Sequence, residues 1–205
     1  MSVHRPRLKI VRRLGVQLPG LTRKDAGARP YPPGQHGQST GRRRKVSAFR
    51  RRLEEKQKIR FHYGIGERQL RRYVERAGSM SGIKSHNLFS MVERRLDNVV
   101  FRLGFAPTIP AARQLVSHGH VRVDGAKVDR PSYGVSIGET ITLSTKARAR
   151  PSIEEAIGQG PLVKLPSYLA HDPSDAGAGR IIATPIRSDV PFQVEDSAVV
   201  EFYSR

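Results

Sequence analysis

Basic charge is graded along this chain from one end to the other, and that gradient limits what it can fold into more than any motif does. Residues 1–76 carry 22 Lys and Arg against 5 Asp and Glu, residues 77–150 carry 11 against 5, and residues 151–205 carry 4 against 8. Close like charges repel unless an anion sits among them, so the first third is expected to meet a polyanion. The acidic final segment is expected to face solvent or a basic protein neighbour. The whole chain holds 37 basic and 18 acidic residues, a net +19 over 205 residues. This length suits one domain with an insertion, or two small ones, and disfavours a single large enzyme core.

The sequence has no Cys, which removes disulfides, thiolate metal ligands and cysteine nucleophiles and fits a reducing compartment. No stretch approaches the roughly 18 consecutive apolar residues of a membrane span, so neither secretion nor a membrane role is expected. The first thirty residues hold only Ser2 and Thr22 as hydroxyl residues, which disfavours an organellar transit peptide. The cytoplasm is the expected compartment.

Residues 1–45 mix basic residues with Pro and Gly, as in Arg29 to Gly37, without a helical or strand period. We read them as an extended basic arm ordered by its partner. Residues 47–63 follow as a basic helix with a thin apolar seam of Phe49, Leu53, Ile59 and Tyr63, ended by Gly64 and Gly66. Leu70, Tyr73, Val74 and Ala77 then mark a second helix with Arg68, Arg71, Arg72 and Arg76 around its other sides. A third helix carries Leu88, Val92, Leu96, Val99 and Leu103, with Ser85 as its cap and Gly104 as its stop. Thr108 and Pro110 start a fourth, stopped by Gly119.

The period then changes. Val121 and Val123 alternate, Asp124-Gly125 is a two-residue hairpin turn, and Val128 lies on the return strand. Val135 with Ile137 and Ile141 with Leu143 suggest two more short strands. Ala176 to Gly179 reads as a flexible loop, and residues 181–182 and 199–203 as short strands docked on the helical body. The fold class is therefore α+β, a mostly helical body (46–92 and 151–205) with an inserted small domain (93–150) and an N-terminal arm (1–45).

Chemistry is sparsely represented. Gly64-x-Gly66 follows a basic helix instead of a strand, so it is a helix-breaking link and not a dinucleotide site. His118-x-His120 lacks further ligands, so no metal and no cofactor is expected. Glu54 and Glu55 sit among Arg51, Arg52, Lys56 and Lys58, where i, i+4 ion pairing explains them. The arginine weighting favours RNA, because guanidinium binds phosphate bidentately and stacks on bases. Arg42, Arg43, Arg44 and Lys45 form the densest cluster.

Glu93 to Val100, Ala112 to Val121 and the following Val-Asp-Gly turn resemble the RNA-binding domain of the S4 ribosomal proteins. Arg29 to Gly37, residues 53–58, Glu67-Arg68-Gln69 and the terminal residues 200–205 extend that resemblance to the ribosomal protein family over nearly the whole chain. It implies a non-enzymatic binder of the 5′ domain of 16S ribosomal RNA, acting in small-subunit assembly and decoding accuracy. Its implied neighbours are messenger RNA at its entrance to the subunit and proteins S5 and S3, with no small-molecule substrate.

The RNA-binding candidates are Arg5, Arg7, Arg12, Arg13, Gln35, His36, Arg43, Arg44 and Lys45 in the arm. From the basic helices come Arg50, Arg51, Lys56, Lys58, Arg60, Tyr63, Arg68, Arg71 and Arg72. Arg94, Arg95, Arg113, Gln114, Ser117, His118, His120, Arg122 and Lys127 complete the set. By position, Arg43, Arg44 and Lys45 correspond to the messenger entrance and Arg113, His118, His120 and Arg122 to the RNA face. Many relatives hold a cysteine-ligated zinc in the arm, and the absence of Cys places this chain with the cysteine-free branch. Two alternatives stand beside this reading. One is an RNA-modifying enzyme, because Arg95-Leu96-Asp97 resembles the aspartate motif of pseudouridine synthases. The other is a free RNA chaperone or messenger repressor.

Overall fold

Ser47 supplies the clearest local signal: its hydroxyl accepts from the Arg50 amide and starts a 15-residue helix. A computed structural model describes residues 7–38 and 47–204, and every structural statement below concerns those residues. The helices are α1 (Arg7–Leu14), α2 (Ala48–His62), α3 (Glu67–Gly78), α4 (Lys84–Glu93), α5 (Leu96–Arg102), α6 (Ile109–Ser117), α7 (Thr145–Arg148), α8 (Pro151–Gln159) and α9 (Asp196–Tyr203). The strands are β1 (Val121–Val123), β2 (Ala126–Lys127), β3 (Thr140–Leu143), β4 (Leu169–Asp172) and β5 (Asp175–Ile181), in the antiparallel order β2-β1-β3-β5-β4. The mixed α+β class, rich in helix, is as the sequence indicates.

Several local expectations change. The arm is not without helix: α1 buries Ile10 and Val11, and Leu18 and Leu21 follow them into the core. A short apolar set at positions 10, 11, 14, 18 and 21 was masked by the surrounding basic residues. The expected single helix from residue 85 to 103 is two. Arg95 is extended between α4 and α5, and the first amides of α5 donate outward, Leu96 to the Tyr133 carbonyl (2.8 Å) and Asp97 to that of Pro131 (3.1 Å). The residue before α4 is Ile83, not Ser85.

Ala176 to Gly179 is not a loop but part of β5, an interior strand pairing with both β3 and β4. Its glycine is a packing requirement: a Cβ on Gly179 would lie 2.5 Å from Leu103 Cδ2 and 3.2 Å from the Ala170 carbonyl. The sheet thus draws two strands from outside residues 93–150. Val135 and Ile137 form no named strand, and Ile137 is 52% exposed. Residues 199–203 are helix α9 instead of a strand, with Ala198 and Val199 buried.

The acidic tail is answered within the molecule. Arg51 pairs with Glu195 (2.9 Å) and Arg52 with Glu201 (2.7 Å), while Arg187 holds Asp196 (2.9 Å). The expected external basic neighbour is therefore not needed to balance these carboxylates.

α5 is the structural axis, with every residue from Leu96 to Arg102 buried, including Asp97, Asn98 and Arg102. Its Arg102 meets the buried Glu93 carboxylate at 3.3 Å and donates to the Asp189 carbonyl. Glu93 also accepts from Tyr63, from Tyr168 (2.6 Å) and from Asn98 (2.8 Å). Burial first, and then the Glu93 charge, push both phenols well above their ordinary range, so they remain protonated donors. Beside them His62 is fully buried against Phe192 (centroids 4.4 Å apart), and neither ring nitrogen has a hydrogen-bond partner among the described residues.

Two outcomes follow. Gly179→Ala should destabilise by about 1–3 kcal/mol through overpacking against Leu103, whereas Gly134→Ala, with nothing within 4 Å of its Cβ, should stay within about 0.5 kcal/mol. Denaturant unfolding of both variants checks this. Burial first, and Arg102 second, hold the His62 pKa well below 6.5, so protonation favours the unfolded chain. Stability on this account is complete above about pH 6.5 and falls as pH drops, by up to about 1.4 kcal/mol per unit. Melting curves from pH 7 to 5 should show that loss, and His62→Phe should lack it.

Candidate nucleic-acid interface

α3 turns Leu70, Val74 and Ala77 inward, and the same spacing leaves Arg68, Arg71 and Arg72 exposed on its other sides. α6 behaves alike. Ala112, Leu115 and Val116 are buried, while Gln114, Ser117 and, at the helix end, His118 are exposed. Thr108 caps its start through a 3.4 Å bond from the Ala111 amide, and Gly119 at φ +71° ends it.

The adjoining hairpin is set by Asp124 (φ +47°) and Gly125 (φ +81°), the left-handed pair that a tight turn of this hand needs. Alternation buries Val121 and Val123 and exposes Arg122. Register places Arg122 directly opposite Lys127, two like charges across one strand pair. That pairing costs energy in the free protein and favours an anion between or above them. In the turn the Asp124 carboxylate accepts from the Thr140 amide at 2.8 Å, and Arg122 donates to the Gly125 carbonyl at 3.1 Å.

Lys127 lies over Gly119, where an added Cβ would come within 2.1 Å of its Cε and 2.7 Å of its Nζ. Its amine is thereby brought to the end of α6. The His118 and His120 rings stand 6.3 Å apart there. His120 is held below its ordinary range first by desolvation and then by the charges of Arg150, His118 and Lys127. Arg150 is absent from the sequence candidates, since only the folded chain brings the start of α8 beside α6 and the hairpin. Arg113 connects this cluster to the α2–α3 link, donating to the Gly64 carbonyl at 2.6 Å and lying 3.9 Å from Asp97.

Other candidates are placed differently. Arg95 is fully buried, its guanidinium bound to Asp97 (2.6 and 3.0 Å) and to the Tyr73 hydroxyl (2.9 Å), so it offers nothing to RNA. Tyr63 is fully buried on Glu93, and Lys56, 5% exposed, pairs with Glu67 at 2.9 Å. These three are corrected from contact residues to framework residues. Their partners are remote or unforeseen in the sequence: Glu93 and Phe192 for Tyr63, Asp97 and Tyr73 for Arg95, and Glu67 and Phe202 for Lys56.

Arg12 donates to the carbonyls of Arg29, Tyr31 and Pro32 and lies 4.8 Å from the Tyr31 ring centroid, so it orders the arm upon itself. Lys58 pairs with Glu55 (2.6 Å), Arg60 donates to Gln57 (3.3 Å), and Arg94 to the Val135 carbonyl (2.7 Å). Arg50 meets Glu54 (2.8 Å), and both it and Arg51 keep more than half of their side chains exposed. Arg7, Arg13, Gln35 and His36 are exposed. Arg5, Arg43, Arg44 and Lys45 lie outside the described residues.

Among the described residues, no three His, Asp or Glu come together as a metal site. Asp97 is fully buried beneath Arg95, with burial pushing its carboxyl up and Arg95 and Arg113 opposing that. In this position its carboxylate serves as the counter-charge of Arg95 and is not exposed to a substrate base.

Asp97→Asn should cost about 3–5 kcal/mol by leaving Arg95 buried without its counter-charge, measured by denaturant unfolding. Replacing Arg71 and Arg72 with Ala should leave the melting temperature unchanged and reduce the log–log salt slope of RNA binding by about 2.

Comparison with known proteins matches residues 2–93 to the Ribosomal protein S4/S9 N-terminal domain and residues 94–141 to the S4 domain. The chain is 52% identical to a protein of Thermosynechococcus vestitus named small ribosomal subunit protein uS4, over 98% of this chain and 96% of that one. It is 51% identical to the uS4 protein of Nostoc punctiforme over 100% and 99% of the two chains. To small ribosomal subunit protein uS4B of Nitrosomonas europaea it is 48% identical, over 97% and 96%.

Proposed function

The chain belongs to the small ribosomal subunit protein uS4 family, and from that membership we propose that it binds the 5′ domain of 16S ribosomal RNA and helps nucleate assembly of the small subunit. It is a structural, RNA-binding constituent of the subunit, not an enzyme. The observation that carries the RNA reading is the basic cluster on α6 and the hairpin, with Arg122 opposite Lys127 and His118, His120 and Arg150 beside them. An α6–hairpin surface of this kind, with Arg68, Arg71 and Arg72 exposed on α3, suits contact with phosphate backbone.

Residues 93–150, completed by β4 and β5, act in this reading as the RNA-gripping unit between the segments 46–92 and 151–205. The remaining parts of the proposal rest on the family resemblance. Arg43, Arg44 and Lys45 line the messenger RNA entrance, proteins S5 and S3 lie alongside, and the protein affects decoding accuracy.

Many phosphate contacts make affinity steeply salt-dependent, with a slope on the order of −0.7 to −0.9 per neutralised phosphate. Binding to the 5′ domain RNA and to a length-matched unstructured RNA should separate as salt rises, with the 5′ domain complex surviving physiological salt. Equal loss of both would overturn the ribosomal RNA assignment. Replacing Arg43 and Arg44 together with Ala should disturb messenger loading on reconstituted subunits more than 5′ domain affinity, and the reverse pattern would remove them from the entrance.

A further inference from the structure

Between α6 and the start of α8 lies a cavity of about 330 Å³. Its floor and walls are apolar: Phe105, Pro107, Ala111, Leu115 and Ile153. Its lining also includes Gln114, His118, Arg150 and Ser152, and no carboxylate lines it. That volume sits at the lower end of pockets that hold small planar ligands, about 300–1,000 Å³.

We propose that this cavity receives one unpaired nucleobase of the bound RNA, extruded from its stack, while Arg150 and His118 at the mouth hold the adjoining phosphates. The inference rests on the RNA-binding reading above and goes beyond it by naming a base-specific contact. Two features select a nucleotide as the occupant. Arg150 in the lining, with Lys127 close to the neighbouring His120, complements a phosphate-linked ligand, and the His118 ring can donate a hydrogen bond to it. The lining pairs apolar walls, among them the Phe105 ring, with an amide and a hydroxyl, Gln114 and Ser152, able to read a base edge. An apolar protein side chain would fill the walls but leave the cationic mouth unanswered.

The test uses the full chain in two arms. In the first, methyl resonances of Ala111, Leu115 and Ile153 are followed by NMR during titration with the four nucleoside 5′-monophosphates and, separately, with inorganic phosphate. Shifts of these methyls with at least one nucleotide and not with phosphate are expected. Identical responses to nucleotide and phosphate, or none in the methyls, overturn the base site and leave only an anion contact at the mouth.

In the second arm, Ser152→Trp, at an exposed position on the rim, should weaken 5′ domain binding about tenfold, as loss of one stacked base does, with the salt slope unchanged. Arg150→Ala should instead lower the slope by about 1. Unaltered affinity in Ser152→Trp overturns the inference. If the unmodified chain fails to prefer the 5′ domain, the ribosomal RNA assignment falls while the nucleotide titration still decides the cavity. Ala111→Leu, narrowing the same space from α6, repeats the second arm should Ser152→Trp fold poorly.

Discussion

The Glu93 carboxylate is the interaction on which the remaining architecture depends. A carboxylate out of contact with water is tolerable only if its acceptor sites are filled and a cation is near. Here the four donors come from three separate stretches: Tyr63 at the end of α2, Asn98 and Arg102 on α5, and Tyr168 ahead of β4. Arg102 in turn reaches the Asp189 carbonyl, drawing in the segment before α9. Removing one partner leaves the others desolvated and unpaired, so these stretches assemble together. Segments far apart in sequence are thereby locked to one helix, which an apolar core alone would position less uniquely.

Fixing α5 fixes the interface. The extended residue Arg95 sets where α4 stops, its guanidinium closes on Asp97 and Tyr73, and the α5 amides pin the 131–133 loop that leads to β3. Asp97 also lies near Arg113, whose other donor seizes the Gly64 carbonyl between α2 and α3. The α3 arginines and the α6–hairpin cluster are consequently held in one fixed relation. A rigid spacing of two cationic surfaces favours an RNA whose backbones present the same spacing, which is how phosphate contacts contribute register even though they read no sequence.

What could be read from the chain followed the local physics. Ser47, Thr108, Gly119 and Asp124-Gly125 carry their structural meaning within a few residues, and the helices and turn they specify are present as read. The α3 stripe of Leu70, Val74 and Ala77 was equally plain. The misread elements depend on partners remote in sequence. Ala176 to Gly179 has a loop's composition, yet it is a strand because β3 and β4 pair with it on both sides, and its Gly179 is there because Leu103 leaves space only for hydrogen. Residues 85–103 have one continuous apolar stripe, yet carbonyls of residues 131 and 133 capture the amides that would have continued the helix. Arg95, Tyr63 and Lys56 looked like surface chemistry because residue type alone does not reveal the remote partners that bury them, Tyr73 for Arg95, Glu93 and Phe192 for Tyr63, and Phe202 for Lys56. Arg150 was invisible for the converse reason, since its significance arises only where α8 meets α6.

The acidic tail gives the charge gradient its structural purpose. α9 and the residue before it lay Glu195 and Glu201 against Arg51 and Arg52 of α2, and Glu67 is held jointly by Lys56 and the Tyr203 hydroxyl. The more exposed pairs, Arg51–Glu195 and Arg52–Glu201, contribute little to stability, on the order of 0–1 kcal/mol each. Their larger effect is on where positive potential remains. The tail answers the α2 face with carboxylates of its own, whereas Arg68, Arg71 and Arg72 of α3 and the Arg122–Lys127 pair of the hairpin keep their charge directed outward. Screening at physiological salt leaves only nearby charges to act, within about 8 Å, so this local cancellation decides which arginines a polyanion meets. The C-terminal helix thus shapes where positive charge stays exposed.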